Sequence, residues 1–587
     1  MVRHDVFSDT WGAVDALGRR LPGYEQCGPP RENRSVGIFY FIANDYKGPE
    51  PPRDVSKLLH ENPGNPQFWT QHPHHWGEPE LGYYRSSDRW VIRKHAYMLA
   101  DAGVDTLIFD VTNDRTFPEC YEAVCEVFRE VRGEGERTPD VCFLGSEKSI
   151  FQLWESVYSK GRYADLWFHW QGKPLLLFGQ FDIRGDMNDV VFPDAIKDFF
   201  TIRWSWAWDS LPWYGDEGHH RWPWVAHAPQ CIGWDKPGVA ENVPVAIGQH
   251  PVSGIGRSFH NGHQPETDQV DETPYTDQGL HFAEQWRRAS EVDPEFIFIT
   301  GWNEWSASAQ VCTTTDQDEL RSKWSFFPGA RMGRASRPLN LGDVYFIDQY
   351  NREFSRDAEP MRGGHTDNYY YQMIDGIRRY KGVRPAPRSS GPRTIDLAGG
   401  FDQWENVIPQ YRDHLYDTLY RNEPGWGCAG PYVNTTGRNE FVALKVAHDA
   451  EGLYFYACTR GPVTPWTDPY WMVLFLNTDQ DKTTGWEGYD YAINLAVLDD
   501  RRTRVKVTTG GWAWQDVGEA DYRVEGNQLM VVVPRALVGL GGAPVAFDFH
   551  WVDNIRGTGE IEDFFLNGDS APPRRFDYRY DGGREHH

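Results

Sequence analysis

The sequence predicts a (β/α)8 TIM barrel over residues 1–385, followed by a β-sandwich over residues 386–587. Apolar strand-like runs alternate with amphipathic helical runs throughout the first part. Pro, Gly and Ser then crowd together at 382–392 without periodicity, which is typical of a linker. Beyond the linker, short alternating runs are separated by turn residues with no long helix between them, the pattern of an all-β sandwich.

The strands of the first part are short apolar runs bounded by turn residues, and amphipathic runs follow several of them. The predicted strands are 36–42, 104–109, 141–144, 174–178, 199–203, 243–247 and 296–300, and the predicted helices are 90–102, 121–131, 150–158, 276–290 and 370–380. Repeated β–α units with apolar strands indicate a parallel sheet. Seven or eight strands over about 350 residues favour a closed barrel over an open sheet. No Gly-x-Gly-x-x-Gly follows the first strand, so nothing supports a dinucleotide fold.

The second part shows six alternating runs that we interpret as strands of the sandwich. These runs are 441–446, 453–456, 471–476, 504–507, 529–533 and 545–551.

Composition and charge exclude several classes of function. The 587 residues are 40% hydrophobic, enough for two cores, and carry a net charge of −26 with a pI near 5.2. Such an acidic chain is not expected to bind nucleic acid or anionic membranes. No apolar stretch reaches 18 residues, so no membrane span is predicted. The eight cysteines lack metal-finger spacing and are expected to be reduced thiols.

The first residues have no apolar signal-peptide core. We therefore expect either a cytoplasmic protein or an exported one whose signal is absent from this chain. The sequence does not indicate an oligomeric state.

The densest functional signal is the stretch 296–306, in which four apolar residues run into Thr300-Gly301 and then Trp302-Asn303-Glu304-Trp305. In a parallel barrel the chemistry lies at the C-terminal ends of the strands. A carboxylate between indoles is typical of sugar chemistry, because indole faces stack on pyranose rings and the carboxylate moves protons or stabilises positive charge. The alternative, a buried structural Glu304, requires a nearby cation that the local sequence does not offer.

Other polar residues follow predicted strands and are expected on the same face. Glycoside hydrolysis needs two carboxylates across a cleft, and the candidates to partner Glu304 are Asp110, Glu147 and Asp209. For Asp110 the alternative is a strand-terminating or helix-capping role. The expected substrate-binding residues are Asn113, Trp204, Trp206, Gln249, His250, Trp302, Asn303 and Trp305.

A second polar cluster lies at 71–80 and contains three His, a Trp and two Glu. Its His-x-His-His spacing matches no closed zinc site, so we expect no metal there. As a loop after the first strand it is expected to place His74, His75 and Trp76 against the substrate, the alternative being a structural loop.

The segment 477–490 carries oxygen side chains at alternate positions, which suits a structural calcium ion in the second part. The alternative is a polar hairpin turn. No cofactor is expected to be required.

The first part resembles glycoside hydrolase family 99 and its broader bacterial relatives, through Trp302-Asn303-Glu304-Trp305 and the closing 369–381 run. That family cleaves α-mannosides internally, with two catalytic glutamates three residues apart. The resemblance implies that Glu304 is the first of them, whereas the second position is Ala307, which cannot transfer a proton.

The second part is similar to carbohydrate-binding module family 9 through the runs 394–404, 453–456, 477–490 and 547–554. The resemblance implies a sugar clamp between two Trp. The candidates are Trp466, Trp471, Trp486, Trp512 and Trp514.

Three functions remain open from the sequence. The first is a glycoside hydrolase acting on a poly- or oligosaccharide with carboxylate catalysis. The second is a non-catalytic glycan-binding protein, which Ala307 favours. The third is a polysaccharide lyase, for which His72, His74, His75 and Arg257 are available as base and charge partner.

Overall fold

The computed structural model describes residues 4–179, 192–207, 221–236, 238–251, 254–266, 272–316, 331–332, 337–338, 340–346, 348–542 and 544–583. It is a mixed α/β protein with large, curled sheets. No helix in these ranges is long and apolar enough to cross a bilayer.

A parallel sheet organises the first part. Its strands in chain order are β1 Ser35–Tyr40, β2 Thr106–Val111, β3 Asp140–Gly145, β4 Lys173–Phe178, β5 Thr201–Trp204, β6 Val239–Val245 and β7 Phe296–Ile299. Each falls on a strand expected from the apolar runs. Their order in the sheet is β5-β4-β3-β2-β1-β7-β6. Of these seven strands, the first and the last in chain order, β1 and β7, are therefore neighbours.

The sheet continues between β5 and β6 through residues 221–225. Trp222 N–H donates to Trp204 O (2.7 Å), and Trp224 N–H donates to Trp206 O (3.0 Å), as in a parallel ladder. Asn242 Nδ2 on β6 donates to Pro223 O at 2.9 Å. Backbone and side-chain bonds therefore connect the two outer strands of this sheet.

Helices cover the outside of this sheet. They are α1 Val55–Glu61, α2 Arg89–Ala102, α3 Pro118–Gly133, α4 Glu147–Ser156, α5 Asp194–Phe199, α6 Leu280–Val292 and α7 Asn368–Lys381. The ends of α2 follow from its sequence. Asp88 caps its N-terminus by accepting from Trp90 N and Val91 N, and Gly103 ends it in the left-handed conformation (φ 84°) that glycine adopts readily.

The second part is an antiparallel sheet. In chain order its strands are β8 Gln410–Arg412, β9 Phe441–His448, β10 Gly452–Thr459, β11 Val473–Asn477, β12 Tyr491–Val497, β13 Arg502–Gly510, β14 Ala513–Glu525, β15 Gln528–Pro534, β16 Ala546–Asp553, β17 Asp569–Ala571 and β18 Phe576–Asp581. The sheet curls until its ends meet, because Tyr411 OH on β8 donates to Arg579 O on β18 (2.7 Å) and Tyr578 OH donates back to Arg412 O (2.8 Å).

The N-terminal segment joins this second sheet. The short strand Gly12–Ala13 pairs antiparallel with β18, through Gly12 with Asp577 and Ala13 with Phe576. Other residues before β1 contact the first part instead, as Arg31 and Arg34 do by donating to Asp293. The division of the chain at 385/386 into separate folding units stays a prediction.

Buried ion pairs connect the two parts. Arg574, just before β18, donates to both oxygens of Glu80, and Arg421 donates to Asp88 Oδ2 at 2.7 Å. The side chains of Arg574 and Glu80 are almost fully buried. Since a buried charge is tolerated only when it is paired, each partner requires the other.

We expect Arg574→Met to destabilise the protein by about 3–5 kcal/mol, because it leaves Glu80 buried without its cation while it retains the apolar stem. Denaturant unfolding followed by tryptophan fluorescence measures the change. Arg502→Met is the matched control: its partners Asp499 and Glu519 are exposed, and it should change stability little. Equal losses in the two variants would contradict the prediction.

Candidate functional site

Glu304 lies just beyond the C-terminal end of β7, where hydrogen bonds hold the chain from both sides. On one side, Trp302 N–H donates to Phe39 O (2.9 Å), and Asn303 Oδ1 accepts from Phe41 N–H (2.8 Å). On the other side, Glu359 N–H donates to Trp302 O (2.9 Å). The Glu304 backbone is therefore fixed between β1 and residues 348–359.

Residues 348–359, which we call the crossing segment, pass very close to the ends of β6 and β7. A Cβ on Gly301 would lie 2.5 Å from Asp357 Oδ1, and a Cβ on Gly248 would lie 2.4 Å from Ser355 O. Only glycine allows the crossing segment to approach this closely at both places. Its side chains reach the carboxyl of Glu304 for that reason.

The crossing segment supplies the partners of the Glu304 carboxyl. Arg356 Nη2 donates to Glu304 Oε2 at 2.7 Å, and Gln349 Nε2 donates to the same oxygen at 3.2 Å. Gln349 Nε2 also donates to Asp357 Oδ2 (2.9 Å), and Glu304 N–H donates to Asp357 Oδ1 (2.8 Å). The two carboxyls thus share the Gln349 amide, and Arg356 binds Glu304 directly.

The pKa values of these two carboxyls are raised by different amounts. Burial raises the pKa of Glu304 to about 8, opposed by Arg356 and reinforced by Asp348 and Asp357. Burial also raises the pKa of Asp357 to about 6, opposed by the Glu304 amide. The two carboxyls titrate as a coupled pair whose protonated form is favoured by burial, and the upward shift is larger for Glu304.

The hydrogen bonds of the two carboxyls differ in the same sense. Asp357 uses both oxygens as acceptors, as an ionised carboxylate does. In Glu304 only Oε2 accepts, and among the described residues Oε1 has no hydrogen-bond partner. Since the Glu304 side chain is 12% exposed, Oε1 is the oxygen that can present a proton to a ligand.

Two further carboxyl groups, those of Asp348 and Asp110, interact electrostatically with the groups around Glu304. Asp348 Oδ1 is 3.7 Å from Arg356 Nη1, and its side chain is 56% exposed. Asp110, at the end of β2, is buried and accepts from Thr112 N–H (3.0 Å) and Oγ1 (2.8 Å). Burial raises the pKa of Asp110, and both Asp348 and Arg356 act on it. The structure thus brings Glu304, Asp110 and the unanticipated Asp348 into one electrostatic neighbourhood.

The other two candidate carboxylates are placed differently. Glu147 is the first residue of α4, half-buried, and no hydrogen bond or ion pair joins it to Glu304, Arg356 or Asp357 in the described part of the chain. Asp209 lies outside the described residues. Asn113 is exposed in the turn after β2.

Gln249 and His250 follow β6 and lie beneath the site. The Gln249 carbonyl accepts from Arg356 Nη1 at 3.3 Å, while its side chain donates to Ala226 O at 2.9 Å. Both side chains are fully buried, and burial lowers the pKa of His250 well below its usual value. The Gln249 backbone thus helps to hold Arg356, and contacts of the two side chains with substrate stay a prediction.

The tryptophans beside Glu304 are packed inside the protein. Trp76 and Trp305 stack at 4.3 Å, Trp76 Nε1 donates to Glu304 O (3.0 Å), and Trp305 Nε1 donates to Glu359 Oε2 (2.6 Å). These two rings and Trp302 have no exposed surface. A fully buried indole has no face left for a sugar, so here the three rings position Glu304 rather than form the expected platform.

The expected platforms after β5 are also largely covered. Trp204 and Trp206 are 7% and 8% exposed. Arg221 lies over the Trp204 ring at 5.1 Å, and Trp206 packs against Trp224. Only narrow edges of these two rings reach solvent.

The histidine cluster after β1 is buried too. His74 and His75 form a two-residue strand that pairs with Ser306–Ala307, so Ala307 lies opposite His74. Burial lowers the pKa of His74 to about 4 and that of His75 to about 3, which keeps both neutral. Neither ring has surface exposed to a substrate in this structure, which differs from the expectation of a contact loop.

The cation that a structural role for Glu304 would require is present, although it comes from a distant part of the sequence. No cation is nearby in the chain, but Arg356 lies beyond β7 and the crossing segment returns it to the site. A structural role for Glu304 therefore stays open beside the catalytic one. Sequence reasoning also missed Gln349, Asp348 and Asp357. The adjacent Arg356-Asp357, followed by Glu359 in an otherwise irregular run, was the available signal.

In the expected calcium segment 477–490, Asp479 and Asp490 accept hydrogen bonds from backbone N–H groups of the same segment. Asp479 accepts from Asp481 N–H (2.7 Å), and Asp490 accepts from Thr478 N–H (2.8 Å). These carboxylates satisfy the turn itself, and the segment gathers no group of three acidic or His ligands. A calcium ion here stays a prediction.

The tryptophans of the second part are unevenly exposed. Trp471 and Trp486 are buried, whereas Trp466, Trp512 and Trp514 are half-buried. Trp512 and Trp514 meet edge to face at 5.8 Å, which leaves no gap for a sugar between their rings. A sugar clamp in this part stays a prediction.

Comparison with known proteins gives distant structural likenesses. No protein-family model matches the chain, and no curated protein matches it. A solved structure of the GH99 endo-alpha-mannosidase from Bacteroides thetaiotaomicron is 14% identical, covers 60% of this chain and 99% of its own, and has a TM-score of 0.32. A structure described as a glycoside hydrolase-like protein is 10% identical, covers 61% and 97%, and has a TM-score of 0.32. At these TM-scores the likenesses carry no argument about activity.

We expect Arg356→Met to raise the pKa of Glu304 above about 8, since the guanidinium is the largest influence opposing burial. NMR titration of carboxyl-labelled glutamate measures it, with Glu304→Gln identifying the resonance. Arg362→Met, which removes an exposed partner of Glu78, is the control and should leave the Glu304 pKa unchanged. An unchanged or lower pKa in Arg356→Met would show that the pair is not electrostatically coupled.

Proposed function

We propose that this protein is a glycoside hydrolase in which Glu304 is the general acid. The observation that carries the proposal is a partly exposed carboxyl with one oxygen held by Arg356 and Gln349 and the other without a partner among the described residues. Burial raises the pKa of this carboxyl, which suits a proton donor. Cleavage of a glycosidic bond needs such a donor for the leaving oxygen.

The architecture we propose is a (β/α)8 barrel followed by a β-sandwich. Seven parallel strands with β1 beside β7, and residues 221–225 between β5 and β6, support the barrel. The contact between β8 and β18 supports a sheet folded over on itself. Glu304, Asp110 and Gln249 all follow the C-terminal ends of strands, where barrel enzymes carry their chemistry.

The proposed reaction begins with proton transfer from Glu304 to the glycosidic oxygen as the bond to the anomeric carbon breaks. Asp357 and Arg356 hold the donor in position. Asp348 is the proposed second carboxylate, because it is the exposed one and shares Arg356 with Glu304. It would stabilise positive charge at the anomeric carbon or activate water. Asp110 is buried, and its carboxyl interacts electrostatically with Asp348 and Arg356.

The other two functions receive less support. A lyase would need an accessible base, and His74 and His75 are buried and neutral. His72 is half-buried and packs against Trp69, and no contact joins it to Glu304 or Arg356 in the described part of the chain. For a non-catalytic glycan-binding protein, Ala307 remains the motivating residue. Ala307 is itself buried in the pairing with His74, so the position offers no place for an acid in contact with substrate.

We expect Glu304→Gln to lower turnover by about 100-fold or more, because an amide cannot donate the catalytic proton. The melting temperature should change little, since Gln is nearly isosteric with Glu. Release of reducing ends from a polysaccharide panel, with absorbance of unsaturated products read in parallel, measures activity and separates hydrolase from lyase.

The pH profile adds an independent check. Wild-type turnover should fall as pH rises through about 8, where Glu304 loses its proton. Glu78→Gln is the control, since Glu78 binds only surface cations, Lys57 and Arg362, and should keep wild-type turnover. Binding of glycans without any cleavage would favour the glycan-binding function. A Glu304→Gln variant that keeps more than about a third of wild-type turnover would contradict its role as the acid.

A further inference from the structure

Three buried aspartates meet where the second part contacts the first. Asp413 directly follows β8, Asp417 lies in the turn after it, and Asp569 begins β17. One carboxylate oxygen from each lies within 4.8 Å of the others, and all three side chains are buried. In the described part of the chain this is the one group of three acidic, His or Cys side chains with the spacing of metal ligands.

The ordinary hydrogen-bond partners of buried carboxylates are missing at the centre of this group. Both oxygens of Asp413 are buried and neither accepts a hydrogen bond of normal geometry, although the adjacent His414 amide acts to lower its pKa. Asp569 is satisfied from one side, by Phe441 N–H (2.5 Å) and Ser570 N–H (2.9 Å). An orphaned, fully buried carboxylate facing two others indicates a missing positive ligand.

The charge of the group is only partly compensated by protein. Lys94 Nζ, from α2, lies 3.6 Å from Asp417 Oδ2. Three carboxylates and one ammonium leave two negative charges, the amount that a divalent cation neutralises. The neighbouring charges are engaged elsewhere, since Glu440 pairs with Arg460 and His414 pairs with Asp101 and Glu136.

We propose that Asp413, Asp417 and Asp569 bind a structural calcium ion. All three ligands are carboxylate oxygens, which hard cations prefer over zinc or copper. A small crevice lined by Trp90, Lys94 and Asp417 borders the group on the side of Asp417.

The ion would tie together parts of the chain that are far apart in sequence. Asp413 and Asp417 belong to the turn after β8, Asp569 belongs to the strand beside β16, and Lys94 of α2 closes the group from the first part. Calcium would therefore stabilise the contact between the two parts of the protein. This role is independent of the reaction at Glu304.

The test uses the full chain, freed of metal by chelation and titrated calorimetrically with CaCl2 or MgCl2. We expect one calcium ion per chain and a higher melting temperature with calcium. Asp413→Asn keeps the shape of the side chain but removes a ligand charge. Because changes to outer-shell groups alone cost about 10–100-fold in metal affinity, this variant should weaken calcium binding by more than about tenfold.

Asp481→Asn, in the exposed 477–490 turn, is the matched control and should bind calcium as the wild type does. Three outcomes would overturn the proposal: no calcium binding and no shift in melting temperature, preference for magnesium over calcium, or calcium binding that Asp413→Asn leaves unchanged. Loss of binding in Asp481→Asn alone would assign the ion to that turn instead.

Discussion

The arrangement of the candidate site depends on one buried guanidinium. Arg356 is fully buried, donates to Glu304 Oε2 and to the carbonyls of Gln249 and Asp348, and faces the Trp224 ring at 5.3 Å. A charge of this kind is stable in the interior only with anions and carbonyls gathered around it. The ends of β6 and β7 and the crossing segment are therefore held in mutual register by the need to satisfy Arg356.

A second buried hydrogen-bond network, centred on Glu359, adjoins the one around Arg356. Glu359 accepts from Tyr84 OH (2.6 Å) and Trp305 Nε1 (2.6 Å) and pairs with His95 Nε2 (2.9 Å). Tyr40 OH on β1 in turn contacts His95 Nδ1 at 2.9 Å. Because the two networks meet through the chain at 301–305, the position of Glu304 is set by residues from β1, α2 and the crossing segment together. The indoles of Trp76, Trp302 and Trp305 are packed around Glu304 in this way, where the sequence suggested sugar stacking.

Most of the secondary structure could be predicted from the sequence, whereas few of the hydrogen bonds and ion pairs around Glu304 could. The strand at 296–300 and the helix at 90–102 were predictable because periodicity, an N-cap and a C-terminal glycine are local signals. The placement of Glu304 at a strand end followed from the same logic. Its partner Arg356 did not, because the crossing segment has no periodic pattern and returns to the site only through close contacts at Gly248 and Gly301. The burial of His74 and Trp76 was equally invisible, since polar and aromatic clusters look alike whether they line a cleft or fill an interior.

The strand Gly12–Ala13 gives the chain an unusual closure. It lies beside β18, the last strand of the second part, so residues from both ends of the sequence form one ladder. Without it, β18 would expose an unpaired row of backbone groups, and such edges recruit strands from other molecules. Gly12–Ala13 covers this edge at Phe576 and Asp577. A fragment beginning after the linker would leave these two residues of β18 without that partner, whereas joining residues 4 and 583 by a linker and opening the chain elsewhere would keep the pairing.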